Sequence, residues 1–257
     1  MNDNNESASS EGVRLNRFLA QCGIGSRRKC DDLIATGHIL LNGIKVTEMG
    51  VRINPEKDRV EYRGKAVKHI SAKEYWAWFK PREVMVTGHD PQGRATVYSE
   101  LEKTGREVRH LRYMGRLDYQ SEGLLLLTND GDLIHALTHP RFHIKKTYQV
   151  KLERRLTSEE IRQLLEGVTS EGQVLRAGAV RLLSLPDKGR VQYWYEIDLY
   201  EGKNRQLRRM FEVLRILVGR LRRTRFASVK LGTMTPGELR PLLPPEIAAL
   251  KRMGYPR

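Results

Sequence analysis

Residues 114–131 read MGRLDYQSEGLLLLTNDG and place an acidic residue, Asp118, between Arg116 and an apolar run. Asp118 precedes the four leucines at 124–127, a run of the length expected of a buried strand. Residues 129–131, Asn-Asp-Gly, then predict a turn. Taken alone, Asp118 reads as a turn residue, because Asp bonds its own backbone two residues on. The alternative is a functional carboxylate on a loop held by a rigid sheet.

Strand-like and helical patterns alternate irregularly around this stretch. The strand-like segments are residues 74–80, 123–129, 146–152, 191–200 and 225–232. The helical segments are residues 132–139, 157–168 and 204–215. Thr157 and Glu160 form a capping-box pattern at the start of the second helical segment. The irregular mixture predicts an α+β domain over residues 74–250, with a mixed, largely antiparallel sheet.

A smaller module is predicted over residues 13–70, after a polar tail at 1–12 that we expect to be disordered. Two short helices, at 13–23 and 26–37, precede a hairpin whose turn is Asn42-Gly43. The basic residues of its first helices are Arg14, Arg17, Arg27, Arg28 and Lys29. Such charges form either an ordinary solvated face or a contact surface for RNA.

The charge balance of the whole chain favours a polyanionic partner. Its 257 residues include 46 Lys and Arg against 31 Asp and Glu, a formal charge of +15. The partner is therefore nucleic acid or an anionic membrane. No apolar run is long enough to span a bilayer, and the N-terminus does not resemble a signal peptide. With only two cysteines, the chain fits a reducing cytoplasm, and nucleic acid is the better expectation.

Neither a metal nor a cofactor is expected. His135 and His139 lie one helical turn apart, but the sequence HALTH suggests no third ligand, so a surface His pair is the preferred interpretation. The chain has neither a dinucleotide-binding glycine fingerprint nor a P-loop.

The strongest charge feature is the basic stretch at residues 203–230, in which only Glu212 opposes ten Lys and Arg residues. Helical spacing predicts Arg205, Arg208 and Arg209 on one face, opposite an apolar stripe that begins at Leu207. The near absence of acidic residues favours binding of phosphate or carboxylate groups over a merely solvated face.

Two resemblances connect these features. Residues 13–59, with RLNRFLAQCGIGSRR and LLNGIKV, resemble the S4 RNA-binding domain. The segments GRLDYQSEGLLLLTNDG, KKTYQVKL and EGKNRQLRRM occur in that order and resemble the three core motifs of pseudouridine synthases. Together with the S4-like module, they are similar to the RsuA-type branch, which modifies ribosomal RNA.

The resemblance implies a cofactor-free isomerisation of uridine to pseudouridine in ribosomal RNA. We expect the chain to be a monomer. Asp118 matches the catalytic Asp, Tyr148 the tyrosine that stacks on the target uracil, and Arg208 the arginine that pairs with the Asp. Leu207 matches an apolar residue that packs against the base or the tyrosine. Arg116 matches an arginine that holds the rearranged RNA. The expected phosphate contacts are Lys203, Arg205, Arg209 and the cluster from Arg220 to Arg225.

Several alternatives stay open at this point. The chain could be a non-catalytic RNA-binding or ribosome-assembly factor that keeps the fold. Large-subunit rRNA is the favoured substrate, and small-subunit rRNA and transfer RNA are the others. The pathway is either attack on C1′ or elimination through a glycal.

Overall fold

The computed structural model describes residues 12–68, 72–184 and 192–255. Apart from Gly12, the predicted disordered tail at 1–12 lies outside the described residues, as does Val191 of one predicted strand. The chain forms two compact units. The first comprises the chain up to Lys73 together with residues 107–111, and the second comprises residues 74–106 and the chain from 112 onward. The sequence does not predict that residues 107–111 return to the first unit.

The first unit contains two helices and short strands around one apolar core. Its elements are β1 Val13–Arg14, α1 Leu15–Gln21, α2 Arg27–Ala35, β2 Ile39–Leu41, β3 Ile44–Val46, β4 Arg52–Ile53, β5 Val60–Tyr62 and β6 Lys65–Ala66. The Ser26 side chain accepts a hydrogen bond from the Lys29 backbone and begins α2, as predicted. Asn42 and Gly43 both have positive φ, which suits the tight turn between β2 and β3. The core includes Leu15, Phe18 and Ile34.

The second unit is a nine-stranded sheet with helices. Its elements are β7 Tyr75–Lys80, α3 Val97–Glu102, β8 Arg112–Met114, β9 Glu122–Thr128, α4 Gly131–Thr138, β10 Lys146–Leu152, α5 Ser158–Glu166, β11 Val168–Ser170, β12 Gln173–Leu175, β13 Ala179–Leu183, β14 Tyr193–Leu199, α6 Gln206–Val213, β15 Val218–Phe226, β16 Val229–Lys230, β17 Leu239–Pro241 and α7 Pro244–Gly254. The main strand order is β13-β14-β10-β15-β9-β7-β17, with β8 on β9 and β16 on β15. The strands β11 and β12 form a separate hairpin.

All described strand pairs of the large sheet are antiparallel except β9 with β15. The predicted mixed, largely antiparallel α+β sheet is therefore confirmed. The parallel pair is short and joins Glu122–Gly123 to Arg222–Arg223. Gly123 has φ +104°, and a side chain there would overlap the backbone of Arg223. A glycine at this position lets β15 approach β9 closely.

Strand β9 lies inside the sheet between β15 and β7, and every one of its seven residues is buried. A strand covered on both faces reads as a continuous apolar run, which explains the four leucines. Its residues Leu124 and Leu126 pack in a core with α4 and α7. A second core joins β10, β14, α5 and α6. The capping box predicted for α5 is present at Thr157 and Glu160.

The basic stretch differs from the prediction. Residues 218–226 form the nine-residue strand β15, whereas the sequence predicts a strand only from 225 to 232. Arg220 and Arg222 both bind the buried carboxylate of Glu122, at 2.9 and 2.7 Å. Arg223 is itself buried. The side chains of Arg220 and Arg222 stay 41% and 29% exposed beside Glu122, so the phosphate contacts expected of the Arg220 to Arg225 cluster stay a prediction, although Arg223 is enclosed.

Among the described residues, no helix has the length and apolar character needed to cross a membrane. The part of the chain that the structure describes also contains no group of three or more His, Cys, Asp or Glu side chains arranged to hold a metal ion.

Candidate active site

One cavity of about 410 Å³ in the second unit collects residues that lie far apart in the sequence. Its walls come from the segment before β9, from α4 and the turn that follows it, from β10, from the segment that leads into α6, and from β15. Seven of the predicted site residues line it: Arg116, Asp118, Tyr148, Lys203, Arg205, Leu207 and, from the Arg220 to Arg225 cluster, Arg223. Its volume lies within the range of small-molecule sites.

Asp118 occupies a turn, but its side chain is not used to build that turn. The Asp118 carbonyl oxygen accepts a hydrogen bond from the Ser121 backbone at 3.0 Å. Within the described residues, the carboxylate itself accepts no hydrogen bond and forms no ion pair. A structural turn Asp would bond the backbone through its side chain. The carboxylate of Asp118 instead lines the cavity and is available to a ligand.

Tyr148 and Leu207 supply an aromatic and an aliphatic wall. Tyr148 lies in β10 directly opposite Ile197 on one side and Arg223 on the other. The register between β10 and β15 shifts between Thr147 and Tyr148, and this irregularity brings Tyr148 opposite Arg223. Such bulges re-aim side chains and are frequent beside active sites. Leu207, in the first turn of α6, is 3% exposed and belongs both to the cavity and to the second core.

Arg208 lies beside the Asp118 turn rather than in the cavity wall. Its Nη2 donates to the Gln120 carbonyl at 3.3 Å. Burial lowers the pKa of its guanidinium, and the charge of Arg205 adds to this, whereas Asp118 opposes it. The expected pairing with Asp118 is therefore present only as a longer-range attraction, because no ion pair joins these two described side chains within 4.0 Å. An arginine stays charged even when buried.

The other basic residues predicted to contact RNA differ in whether their side chains already bind the protein. Arg116 and Arg205 are exposed at the cavity rim. Lys203 also lines the cavity, but its Nζ donates to the Val174 carbonyl at 2.8 Å and pairs with Glu201.

The structure does not bring Arg209 to the cavity. Arg209 is 8% exposed and binds the β11–β12 hairpin through the Ser170 carbonyl at 2.6 Å and through Gln173 and Glu171. Its predicted position on the same face as Arg205 is wrong, because α6 begins only at Gln206 and Arg205 precedes it with a φ of +46°. The phosphate contact expected of Arg209 is not available to a group that is enclosed in this way.

Lys80 is a site neighbour that the sequence analysis missed. It ends β7, is fully buried, and donates from Nζ to the carbonyl oxygens of Pro81 and Ser121 at 2.9 and 2.8 Å. Burial lowers its pKa to about 8, and the charge of Asp118 opposes the shift. Lys80 thereby fixes the end of the turn that carries Asp118. A Lys-Pro pair after a strand gives little signal in the sequence, because lysine is seldom buried.

Three buried polar atoms near this turn have no hydrogen-bond partner among the described residues. They are Ser121 Oγ, Arg208 Nε and Arg223 Nη2. Two of these residues, Ser121 and Arg223, line the cavity. Buried polar atoms normally find partners, and exceptions call for an explanation such as a missing ligand.

The basic residues predicted for RNA contact in the first unit lie at its helices. Arg14, Arg27, Arg28 and Lys29 are exposed, and Arg17 is half-buried. The predicted His pair is also exposed, with the rings of His135 and His139 centred 5.3 Å apart.

Comparisons with known proteins agree with both units. The S4 domain family matches residues 13–60, and the family described as RNA pseudouridylate synthase matches residues 74–213. Ribosomal large subunit pseudouridine synthase B of Bacillus subtilis is 35% identical over 241 residues, which cover 94% of this chain and 96% of that protein. The Yersinia pestis protein of the same name is 33% identical and is covered over 69% of its length, with 86% of this chain. A solved structure described as a pseudouridylate synthase aligns with a TM-score of 0.62 and 28% identity, over 93% of this chain and 99% of its own.

Proposed function

Because this chain belongs to the RNA pseudouridylate synthase family, we propose that it converts a uridine of large-subunit ribosomal RNA into pseudouridine, with Asp118 as the reacting carboxylate. The enzyme is then an isomerase that cuts the uracil from N1, turns it, and rejoins it to the same sugar through C5.

One observation carries the assignment of Asp118. Its carboxylate makes no hydrogen bond to the described protein, lines a cavity of about 410 Å³, and shares that cavity with Tyr148 and Leu207. A glycosidic bond is the kind of bond that carboxylates act on, because they stabilise or capture the electron-deficient sugar carbon. The buried Lys80 and the half-buried Arg208 lie within electrostatic reach of the carboxylate.

The other residues of the cavity bind different parts of the RNA substrate. Tyr148 offers a ring on which the uracil stacks, and Leu207 offers an apolar surface against it. A paired uridine must leave its helix to enter, at a cost of a few kcal/mol. Arg116 and Arg205, exposed at the rim, are placed to contact the phosphates of the displaced strand.

The S4 unit contributes a separate RNA contact. Arg27, Arg28 and Lys29 are exposed at the start of α2, where the helix N-terminus also favours phosphate. Such contacts fix the position of the RNA and carry little sequence information. Choice of the target uridine therefore rests on the shape of the RNA around the cavity.

The choice of large-subunit rRNA rests on the relatives. The Bacillus subtilis protein, named a ribosomal large subunit pseudouridine synthase, matches over nearly the full length of both chains. Both units of this chain, and not only the larger one, fall within that match.

The central test is Asp118→Asn, which removes the charge and keeps the shape. We expect pseudouridine formation on a large-subunit rRNA fragment to fall on the order of 10⁴-fold, the scale seen when a carboxylate of a catalytic group is neutralised. Binding of the fragment, measured by filter retention, should stay within about threefold. The control is Glu212→Gln, the same chemical change at an exposed position of α6 outside the cavity.

Each outcome decides a different part of the proposal. Wild-type activity in Asp118→Asn would remove Asp118 from its role. Pseudouridine mapping of rRNA from cells that lack the protein should show one missing large-subunit site, and an unchanged large-subunit map would refute the substrate.

A further inference from the structure

Arg223 is the most deeply buried cation that lines the cavity. Its side chain is 1% exposed, and its backbone sits beside Gly123 in the parallel pair of β15 with β9. Its Nε donates to the Leu124 carbonyl at 2.7 Å, and its Nη1 donates to the Arg116 carbonyl at 3.3 Å. Two of the three guanidinium nitrogens are thus fixed by the backbone on either side of Asp118.

The third nitrogen of Arg223, Nη2, has no acceptor. It is buried and makes no hydrogen bond, and no carboxylate lies within ion-pair distance of the guanidinium among the described residues. Leaving a buried donor unpaired is unfavourable, and more so when the group is charged. An arginine offers donors only and stays protonated, so the missing partner is an acceptor or an anion.

The sheet places this donor beside the expected position of the base. Tyr148 and Arg223 are directly opposite each other in β10 and β15, so their side chains leave the same face of the sheet. Residues opposed in this way have Cβ atoms roughly 5 Å apart. If the uracil stacks on the Tyr148 ring, the guanidinium of Arg223 therefore lies toward the edge of the base.

We propose that Arg223 stabilises the negative charge that develops on the uracil as it leaves, by a hydrogen bond from Nη2 to a ring carbonyl oxygen. When the C1′–N1 bond breaks, both of its electrons go to the uracil, whose charge is shared by N1, O2 and O4. The deficiency at C1′ is met by a bond from Asp118 or by loss of the C2′ proton to a base, which gives a glycal. Later C5 bonds C1′, which expels the Asp118 carboxylate in the first route and is accompanied by return of a proton to C2′ in the glycal route. C5 then loses its proton and N1 gains one. Arg223 acts on the departing base in both routes, and its role rests on the proposed function.

The charge of Arg223 already acts on its surroundings. It contributes to lowering the pKa of the cavity residue Lys146 to about 8, after the larger effect of burial. It acts in the same direction on Lys80. The positive potential is thus preorganised before any ligand binds, as electrostatic stabilisation of a transition state requires.

The test compares two leaving groups. The same large-subunit rRNA fragment is prepared with uridine or 5-fluorouridine at the target position, and single-turnover cleavage of the glycosidic bond is followed by nuclease digestion and mass spectrometry. Fluorine withdraws electrons, so the 5-fluorouracil anion needs less help from the protein. We expect Arg223→Gln to lose about 10²–10³-fold on uridine, the cost of removing one such donor. The loss on 5-fluorouridine should be at least about tenfold smaller.

Matched variants separate this role from support of the fold. Arg222→Gln removes the neighbouring guanidinium, which binds Glu122, and any loss it causes should be equal on the two substrates. If Arg223→Gln melts below the assay temperature, Arg223→Lys is used, with the same unequal loss expected. Equal losses on both substrates, or wild-type rates in the Arg223 variants, would overturn the inference. Wild-type protein that forms no pseudouridine would instead refute the proposed function.

Discussion

Gly123 offers a quantitative test of how the sheet builds the site. An Ala Cβ at this position would overlap the backbone carbonyl oxygen of Arg223 and lie 2.9 Å from its backbone nitrogen. The φ of +104° adds strain, at about 1–2 kcal/mol for a residue with a side chain. Forcing extra atoms into a packed region costs about 1–3 kcal/mol more. Gly123→Ala should therefore destabilise the larger unit by roughly 2–5 kcal/mol.

Alanine variants of two other glycines distinguish the cost of backbone strain from the cost of steric overlap. Gly232 also has a positive φ, +61°, but nothing lies within 4 Å of a Cβ built there. Gly232→Ala should cost only the strain, about 1–2 kcal/mol. Gly131 begins α4 with open space and no positive φ. Gly131→Ala should leave the stability unchanged or raise it by up to about 1 kcal/mol.

The assay is thermal unfolding followed by tryptophan fluorescence. The three tryptophans, Trp76, Trp78 and Trp194, all lie in the larger unit, so the signal reports that unit alone. At about 2–4 °C for each kcal/mol, Gly123→Ala should melt roughly 4–20 °C below wild type. A melting temperature equal to that of Gly232→Ala would show that β15 does not depend on the close approach at Gly123.

Further predictions concern the charged residues around the cavity. The pKa of Lys80 is lowered to about 8 by burial, so between about pH 8 and 10.5 the unfolded chain holds a proton that the folded chain has lost. In chemical denaturation, wild type should therefore gain roughly 3 kcal/mol relative to Lys80→Met over that range, and parallel pH curves would contradict the burial of the ammonium. Substitutions of Arg205 and Arg209 should have different effects on the salt dependence of RNA binding. Arg205→Gln should reduce the slope of log Kobs against log salt by about 0.7–0.9 with little change in melting temperature. Arg209→Gln should leave the slope unchanged and cost about 1–3 kcal/mol of stability, and a reversed pattern would contradict the placement of the two side chains.

The elements predicted from sequence are those whose pattern is local. The strand at 146–152 and the helices around 132–139 and 157–168 carry periodicities or caps that need no distant partner. The sequence predicts only the end of β15, because the arginines that precede residue 225 indicate binding of phosphate or carboxylate groups rather than a strand in the sheet. Two of its arginines, Arg220 and Arg222, are paired within the fold by Glu122, which lies about 100 residues earlier. That pairing is set by the tertiary fold and leaves no local pattern.

Some residues of the candidate site can be predicted from local sequence motifs, and others cannot. Asp118, Tyr148 and Leu207 lie in recognisable motifs, and all three line one cavity. Lys80 belongs to no motif of the sequence analysis, and Arg223 is predicted only as one member of a phosphate-binding cluster. Burial, which cannot be read from a charged residue type, is what gives both residues their effect.

The turn at Asp118 depends both on a recognisable sequence motif and on buried cations that the tertiary fold brings to it. As a turn residue, Asp118 uses only its backbone carbonyl, through Ser121. Lys80 holds the Ser121 carbonyl and Arg223 holds the Arg116 carbonyl, so the turn is fixed from both sides by cations. The carboxylate is thereby released from a structural role while its position stays defined. A rigid backbone with a free side chain is the arrangement that lets one carboxylate act on a sugar carbon without a metal ligand set around it.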